Sequence, residues 1–276
     1  MGRSRLGALD RGLAVLETLV AAAPQVGLAE VALRVGLPKP TVHRILQVFI
    51  SRGYAIQIAE GVYAPGLRIL SLAGVVWGDL DYAFLARPAM LTLQDAFPET
   101  VHFAVLDGHQ AVYAEKVEGR HTYRMASVVG MPLALHSTAI GKAILANLDP
   151  ADFRAWASDG ALAPRTSRTI TSLAQLESEL DLVRARGYAV DDEENEEEIR
   201  CVGAAVFDAR GRVFGGVSTS APAFLLRPEE IVRVGPHVLR AACRISLRAG
   251  LPPDKLPPPY AAIAVAANAS QTVVAG

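Results

Sequence analysis

The stretch LAEVALRVGLPKPTVHRI, Leu28 to Ile45, decides how the first quarter of the chain folds. Residues 28–35 carry apolar side chains at helical spacing and stop at Gly36, which reads as a short helix. A second helix, 40–52, places Val42, Ile45, Leu46 and Phe49 on one face before Gly53 ends it. Ala32 is small where the two helices must cross, and Val31, Val35 and Leu37 complete the shared core. That leaves Lys39, Thr41, His43, Arg44 and Gln47 facing outward. These donors suit phosphate oxygens and base edges, and they cluster toward the N-terminal end of a helix that can enter a major groove.

Leu9 to Ala23 reads as a preceding helix with Leu9, Leu13, Leu16, Leu19 and Val20 as its apolar stripe, ended by Pro24. After Gly53, YAIQIAEGVYAPG alternates around Glu60-Gly61 and reads as a hairpin. Three helices and a hairpin within 66 residues is the order of a winged helix-turn-helix. Charge agrees: residues 1–78 hold eight Lys/Arg against four acids, a balance of +4, whereas the whole 276-residue chain is at -1. A basic head on an acidic body points to nucleic acid.

A helix over 67–80 is expected to link this head to a body over 81–250. About half the residues are apolar, so the body can bury a core of its own. It alternates helices with strands: ARPAMLTLQDAF, HSTAIGKAILANL, 173–186 and 228–250 read as helices. TVHFAVLDGHQAVYAEKV, RCVGAAVFD and VFGGVSTSA read as strands. Sequential hairpins with helices between them predict an α/β or α+β body with a mainly antiparallel sheet. The tail, 251–276, is rich in proline and then in small residues without a packing period, and is expected to be disordered. Two cysteines without CxxC spacing support neither a disulfide framework nor a structural zinc site. Arginines occupy the N-terminus where a signal peptide needs an apolar core, so a cytoplasmic protein without a membrane partner is expected.

VDDEENEEEIRCVGAAVFD, Val190 to Asp208, is the most acidic stretch, with seven carboxylates between Asp191 and Glu198. Consecutive acids mostly point apart into water, which argues against a cage for a hard cation. In the strand that follows, Cys201, Gly203 and Ala205 share one face, and only that face has room. Ser218 and Ser220 likewise share a face of the next strand. A Cys/His- or Ser-dependent hydrolase built within residues 136–220, on Cys201, Ser218, His136 and Asp191, is the competing reading. No GxSxG elbow accompanies these residues, and spacing does not place a base beside a nucleophile.

From residue 6 to about 250 the chain resembles the IclR-type bacterial transcriptional regulators. LPKPTVHRIL resembles the recognition helix of that family and LALHSTAIGKAIL the segment lining its ligand site. Gly187, Asp191, Glu194, Cys201, Val202, Gly203, Val206, Phe207 and Asp208 fill every fixed position of its signature. The resemblance implies a winged helix-turn-helix joined to a GAF-like sensor domain, assembled as a dimer or a dimer of dimers. It implies effector-responsive binding to the operator DNA of a catabolic operon, not catalysis, and no cofactor. One departure is Pro40, which stands where the family usually carries Ser or Thr, so a hydroxyl donor to phosphate is missing. Arg11 and Arg5 are candidates to compensate.

In the resembled family the positions of Asp191, Cys201, Ser218 and Ser220 meet the ligand, with the remaining acids of the loop left to solvent. A small organic acid suits such a site. The amides of Ala139, Ile140 and Gly141 open a helix, at the positive end of its dipole, where a carboxylate is favoured. The serine hydroxyls and the thiol can bond a keto or hydroxyl oxygen opposite. Met125, Met131, Leu133 and Ile199 are expected to close the apolar side, and Ile140, larger than its usual counterpart, to narrow the site.

Overall fold

The computed structural model describes residues 7–22, 24–72, 82–159 and 162–264. The chain divides into two compact units, Met1–Asp81 and Tyr82–Gly276.

The first unit runs α1 (Ala8–Ala21), β1 (Val26–Gly27), α2 (Leu28–Val35), α3 (Lys39–Ser51), β2 (Ala55–Ala59) and β3 (Val62–Pro65). A further helix, α4, begins at 67 and is described to 72; the rest of the expected linker helix lies outside the described residues. Gly36 ends α2 in the left-handed conformation (φ +65°), and the Leu37 amide returns to the Ala32 carbonyl at 3.1 Å. Val15, Leu19, Val31, Val42, Leu46 and Tyr63 form the core. Of the apolar stripe expected on α1, Leu19 is buried, but Leu9 is 75 % exposed and Leu13 and Val20 are exposed as well, while Val15 faces inward. Strand β1 was not expected: two residues are too few to alternate, yet they pair with β3 through Val26 and Tyr63 and make the hairpin a three-stranded sheet.

The second unit is built on one six-stranded sheet in the order β6-β5-β4-β9-β8-β7, every pairing antiparallel. Its strands are β4 (Thr100–Asp107), β5 (Gln110–Val117), β6 (Pro132–Leu133), β7 (Ala189–Asp192), β8 (Ile199–Phe207) and β9 (Val213–Pro222). Helices α5 (Tyr82–Ala96) and α9 (Pro228–Arg248) pack on one face. On the other, α6 (Ala139–Ala146) lies across β8 and β9 and packs against α8 (Leu173–Arg186); α7 (Pro150–Asp159) follows α6 in the chain. The approach of α6 is close. A Cβ on Gly203 would meet the Ala139 carbonyl carbon at 2.8 Å and the Ile140 nitrogen at 2.9 Å, so only glycine admits the helix there.

The tail, expected to be disordered, is folded as far as residue 264. Residues 253–255 form a 3-10 turn and 258–264 are helical. Tyr260 is 2 % exposed, stands edge-on to Phe207 at 5.4 Å, and donates from its hydroxyl to the Ala205 carbonyl at 2.7 Å. Burying one aromatic ring outweighs the weak local propensity of the stretch. Residues 265–276 lie outside the described residues. Tyr260→Phe is expected to destabilise the protein by about 1 kcal/mol, the usual net worth of a buried hydrogen bond, and Tyr260→Ala by about 3–5 kcal/mol. Urea denaturation of both variants measures this; equal losses would mean that the ring contributes nothing.

Candidate functional site

Antiparallel register builds the site as two polar rows across the sheet. Asp191 of β7 lies opposite Cys201 of β8, which lies opposite Ser220 of β9. One step along, Gly203 pairs with Ser218, and Ser218 with His102 of β4. Side chains of such cross-strand partners share a face, here the one beneath α6. Between sheet and helix lies a cleft with an empty volume of about 480 Å³, counting the part open to solvent.

Most of the sequence-derived residues meet there. Ala139 and Ile140 come from the start of α6, Cys201, Ser218 and Ser220 from the strands, and Asp191, Ile199 and Met125 from the surrounding segments. Three do not line it. Met131 is 45 % exposed, Leu133 pairs with Ala111 at the sheet edge and packs into the core, and Gly141 is pressed against the Leu135 backbone. The Gly141 amide is also engaged, donating to the Thr138 side chain at 3.0 Å, so the helix opens toward the cleft through the amides of Ala139 and Ile140.

Sequence reasoning missed several lining residues, His102, Tyr113, Ser127, Thr138, Asn195 and Glu196 among them. His102 is the most consequential. Its ring stands between Ser127 Oγ (2.7 Å from Nε2) and Ser220 Oγ (3.3 Å from Nδ1) and packs on Tyr113 at 5.0 Å. Burial, aided by nearby Lys116, pulls it down from the usual imidazole range to about 3, so it is neutral. The alternation of β4 alone could have placed His102 on a face, but not beside Ser220, because that needs the register.

The acidic loop divides differently from the expectation that only Asp191 turns inward. Glu194 is buried too, with Oε1 at 2.5 Å from Lys142 Nζ of α6 and Oε2 without a hydrogen-bond partner. Asp192 and Glu193 pair with Arg200 and Arg168, whereas Glu196, Glu197 and Glu198 are exposed. The carboxylates therefore diverge, and among the described residues no group of three or more His, Cys, Asp or Glu could hold a metal. Asp191 Oδ1 accepts the amides of Glu194 (2.8 Å) and Asn195 (3.2 Å). Burial nevertheless raises its carboxyl from 3.8 to about 7.

The catalytic alternative fails on geometry. His136 does not line the cleft and its Nε2 engages the Ala163 carbonyl at 3.0 Å. Burial pushes the Cys201 thiol well above its ordinary range, and the ring nitrogens of His102, the imidazole in the cleft, face Ser127 and Ser220 rather than that thiol. On the first unit, Lys39, Pro40, His43, Arg44 and Gln47 are exposed and Thr41 half-buried. Gln47 and His43 approach at 3.4 Å. Pro40 sits in the first turn of α3 without disturbing it. Arg11 is half-buried in α1, and Arg5 lies outside the described residues.

A helix-turn-helix with an exposed polar recognition face, joined in one chain to an α/β unit with a buried polar cleft, defines the class of ligand-responsive DNA-binding regulators. The chain belongs to the IclR family of bacterial transcriptional regulators. Residues 8–58 match the family's helix-turn-helix domain, and residues 76–247 match the bacterial transcriptional regulator IclR C-terminal domain. It is 31 % identical to the transcriptional repressor IclR of Escherichia coli (strain K12), over 88 % of this chain and 89 % of that one. The crystal structure of Thermotoga maritima IclR superposes with a TM-score of 0.72 at 31 % identity, covering 88 % and 98 % of the two chains. An IclR homologue from Microbacterium hydrocarbonoxydans, solved in complex with 4-hydroxybenzoate, shares the fold with a TM-score of 0.76 at 21 % identity, covering 88 % and 99 %. The protein is thus a transcriptional regulator with a DNA-binding helix-turn-helix and an effector-binding C-terminal domain, not an enzyme. Among the described residues no helix is long and apolar enough to cross a membrane.

The Asp191 carboxyl gives this domain a pH signature. Between 3.8 and about 7 the folded protein holds a proton that the unfolded chain has lost, so stability falls as pH rises through that window. Asp191→Asn keeps an acceptor for the Glu194 and Asn195 amides and removes the ionisation. Urea denaturation at pH 5 and pH 8 is expected to show a smaller pH dependence in the variant; an unchanged slope would place the proton elsewhere.

Proposed function

We propose that the C-terminal cleft binds a small organic acid, and that the protein couples this to operator binding as a dimer or a dimer of dimers controlling a catabolic operon. The observation that carries the ligand class is the meeting, in one cleft, of the free amides at the start of α6 with the hydroxyls of Ser218 and Ser220 and the Cys201 thiol. An acidic neighbour would oppose a carboxylate, but Asp191 exchanges its proton near neutrality and, protonated, can donate to the ligand. The 4-hydroxybenzoate held by the Microbacterium homologue belongs to this chemical class. Self-association is supported by Leu9, Leu13 and Val20, apolar side chains left open on α1 of the single chain, and by the few base pairs that one short helix can read.

Calorimetric titration of keto acids and aromatic acids, 4-hydroxybenzoate included, tests the ligand class. Ser220→Ala or Cys201→Ala is expected to weaken the acid that binds by about tenfold to a hundredfold, the cost of a lost buried partner, while DNA affinity without ligand stays unchanged. An acid that binds tightly and ignores Ser220, Cys201 and Asp191 substitutions would place the site elsewhere. On DNA, Arg44 is assigned to a base edge and Lys39 to a phosphate. Arg44→Ala is expected to lose about 1–3 kcal/mol of sequence discrimination, and Lys39→Ala to weaken all sequences alike with a flatter salt dependence. Gel shifts on specific and scrambled DNA at several salt concentrations distinguish the two, and identical behaviour would refute this docking of α3.

A further inference from the structure

Strand β9 has a second face. Between Ser218 and Ser220, Thr219 turns toward α5 and α9, away from the effector cleft. There it lines a separate cavity with an empty volume of about 520 Å³, counting the part open to solvent. Phe97 at the end of α5 and Leu226 before α9 form apolar walls, both nearly inaccessible. Thr219 itself is 1 % exposed, and its Oγ1 is buried without a hydrogen-bond partner. A hydroxyl in that position costs free energy until something bonds it.

The charges at the rim are already engaged. Glu230 Oε2 accepts from Arg233 Nε at 3.0 Å and from its terminal nitrogen at 2.5 Å, and the same guanidinium lies over the Phe97 ring at 5.1 Å. Glu99 takes the Tyr123 hydroxyl. What the cavity offers is therefore apolar wall and one unsatisfied hydroxyl that can donate or accept. We propose that this cavity is a second ligand site, distinct from the effector cleft, for a small uncharged organic molecule with an apolar body and one hydroxyl or carbonyl oxygen bonded to Thr219. A charged acid of the kind assigned to the effector cleft is the wrong ligand here, because among the described residues no unengaged cation lines the cavity.

Phenols serve as probes. Titration of the full-length protein with 4-fluorophenol, followed by fluorine NMR, is expected to show saturable binding that Thr219→Val weakens about tenfold and Ser220→Ala leaves within about twofold. Thr219→Val exchanges an unbonded hydroxyl for a methyl, so its melting temperature is expected to equal or exceed that of the wild type. A crystal soaked in 4-bromophenol is expected to give an anomalous bromine peak between Phe97 and Thr219. The proposal is overturned if the wild type does not bind in solution, which would leave a water-filled void or binding at crystal concentration only. It is overturned equally if binding ignores Thr219→Val, if it is lost with Ser220→Ala instead, which would put the phenol in the effector cleft, or if Thr219→Val melts several degrees lower.

Discussion

At Gly203 the start of helix α6 rests on the sheet with no room for a Cβ between them, and the spacing of the two layers depends on that contact. Gly203 of β8 lies under the Ala139–Ile140 peptide, and a Cβ on Gly216 of β9 would touch Ile140 at 3.0 Å. On the outer side, Gly141 admits the Ala134–Leu135 backbone. Because interiors are packed without slack, a methyl group at position 203 would lift the helix or bend the strand. Either movement changes the gap between the helix amides and the row Asp191, Cys201, Ser220. The signature glycine thus sets the depth of the cleft without contributing an atom to it.

The second determinant is the handling of negative charge. Seven carboxylates enter the loop before β8, and each meets a separate fate according to its surroundings. Those at 196–198 keep their water. Asp192 and Glu193 share Arg200, whose guanidinium is nearly buried and also donates to the Ala223 and Leu226 carbonyls. Glu194 goes in with a cation, Lys142, which Glu179 also approaches at 3.4 Å. Such a buried pair adds little net stability, since desolvation offsets attraction, but losing one partner would strand the other. Its effect is to tie the acid loop to α6, alongside the hydrogen bond from the Ser137 hydroxyl to Asn195 Oδ1 at 3.1 Å.

Much of this was legible in the sequence because it rests on local pattern. Gly36, Gly53 and Gly61 all adopt positive φ where the chain was expected to stop or turn, and period-two alternation put Cys201 with Gly203 and Ser218 with Ser220. What was not legible depends on contacts distant in sequence. His102 joins the site only through the pairing of β4 with β9, more than a hundred residues apart. Nothing local in HSTAIGKAILANL marks Lys142 as buried, yet it is 1 % exposed. Tyr260 sat in a proline-rich stretch without periodicity, and nothing local announces that its hydroxyl finds the Ala205 carbonyl. On α1 the stripe included Leu9 and Leu13, because a single sequence does not distinguish the side a helix turns to its own core from the side it leaves open.

Strand β9 is a partition one residue thick, with Ser218 and Ser220 on one side and Thr219 on the other. Alternation makes the two sides inseparable. A single inserted or deleted residue in the middle of β9 would send the serines into the helix-packed layer beside α9 and hand the effector side a different set of groups. Length changes can therefore be absorbed only where the pairing already breaks, and β8 and β9 do shift register once, between Val206 and Phe207, at the end far from the cleft. In the evolution of such a regulator, the ligand it recognises can drift by substitution along β9, while the strand's residue count stays closed to change.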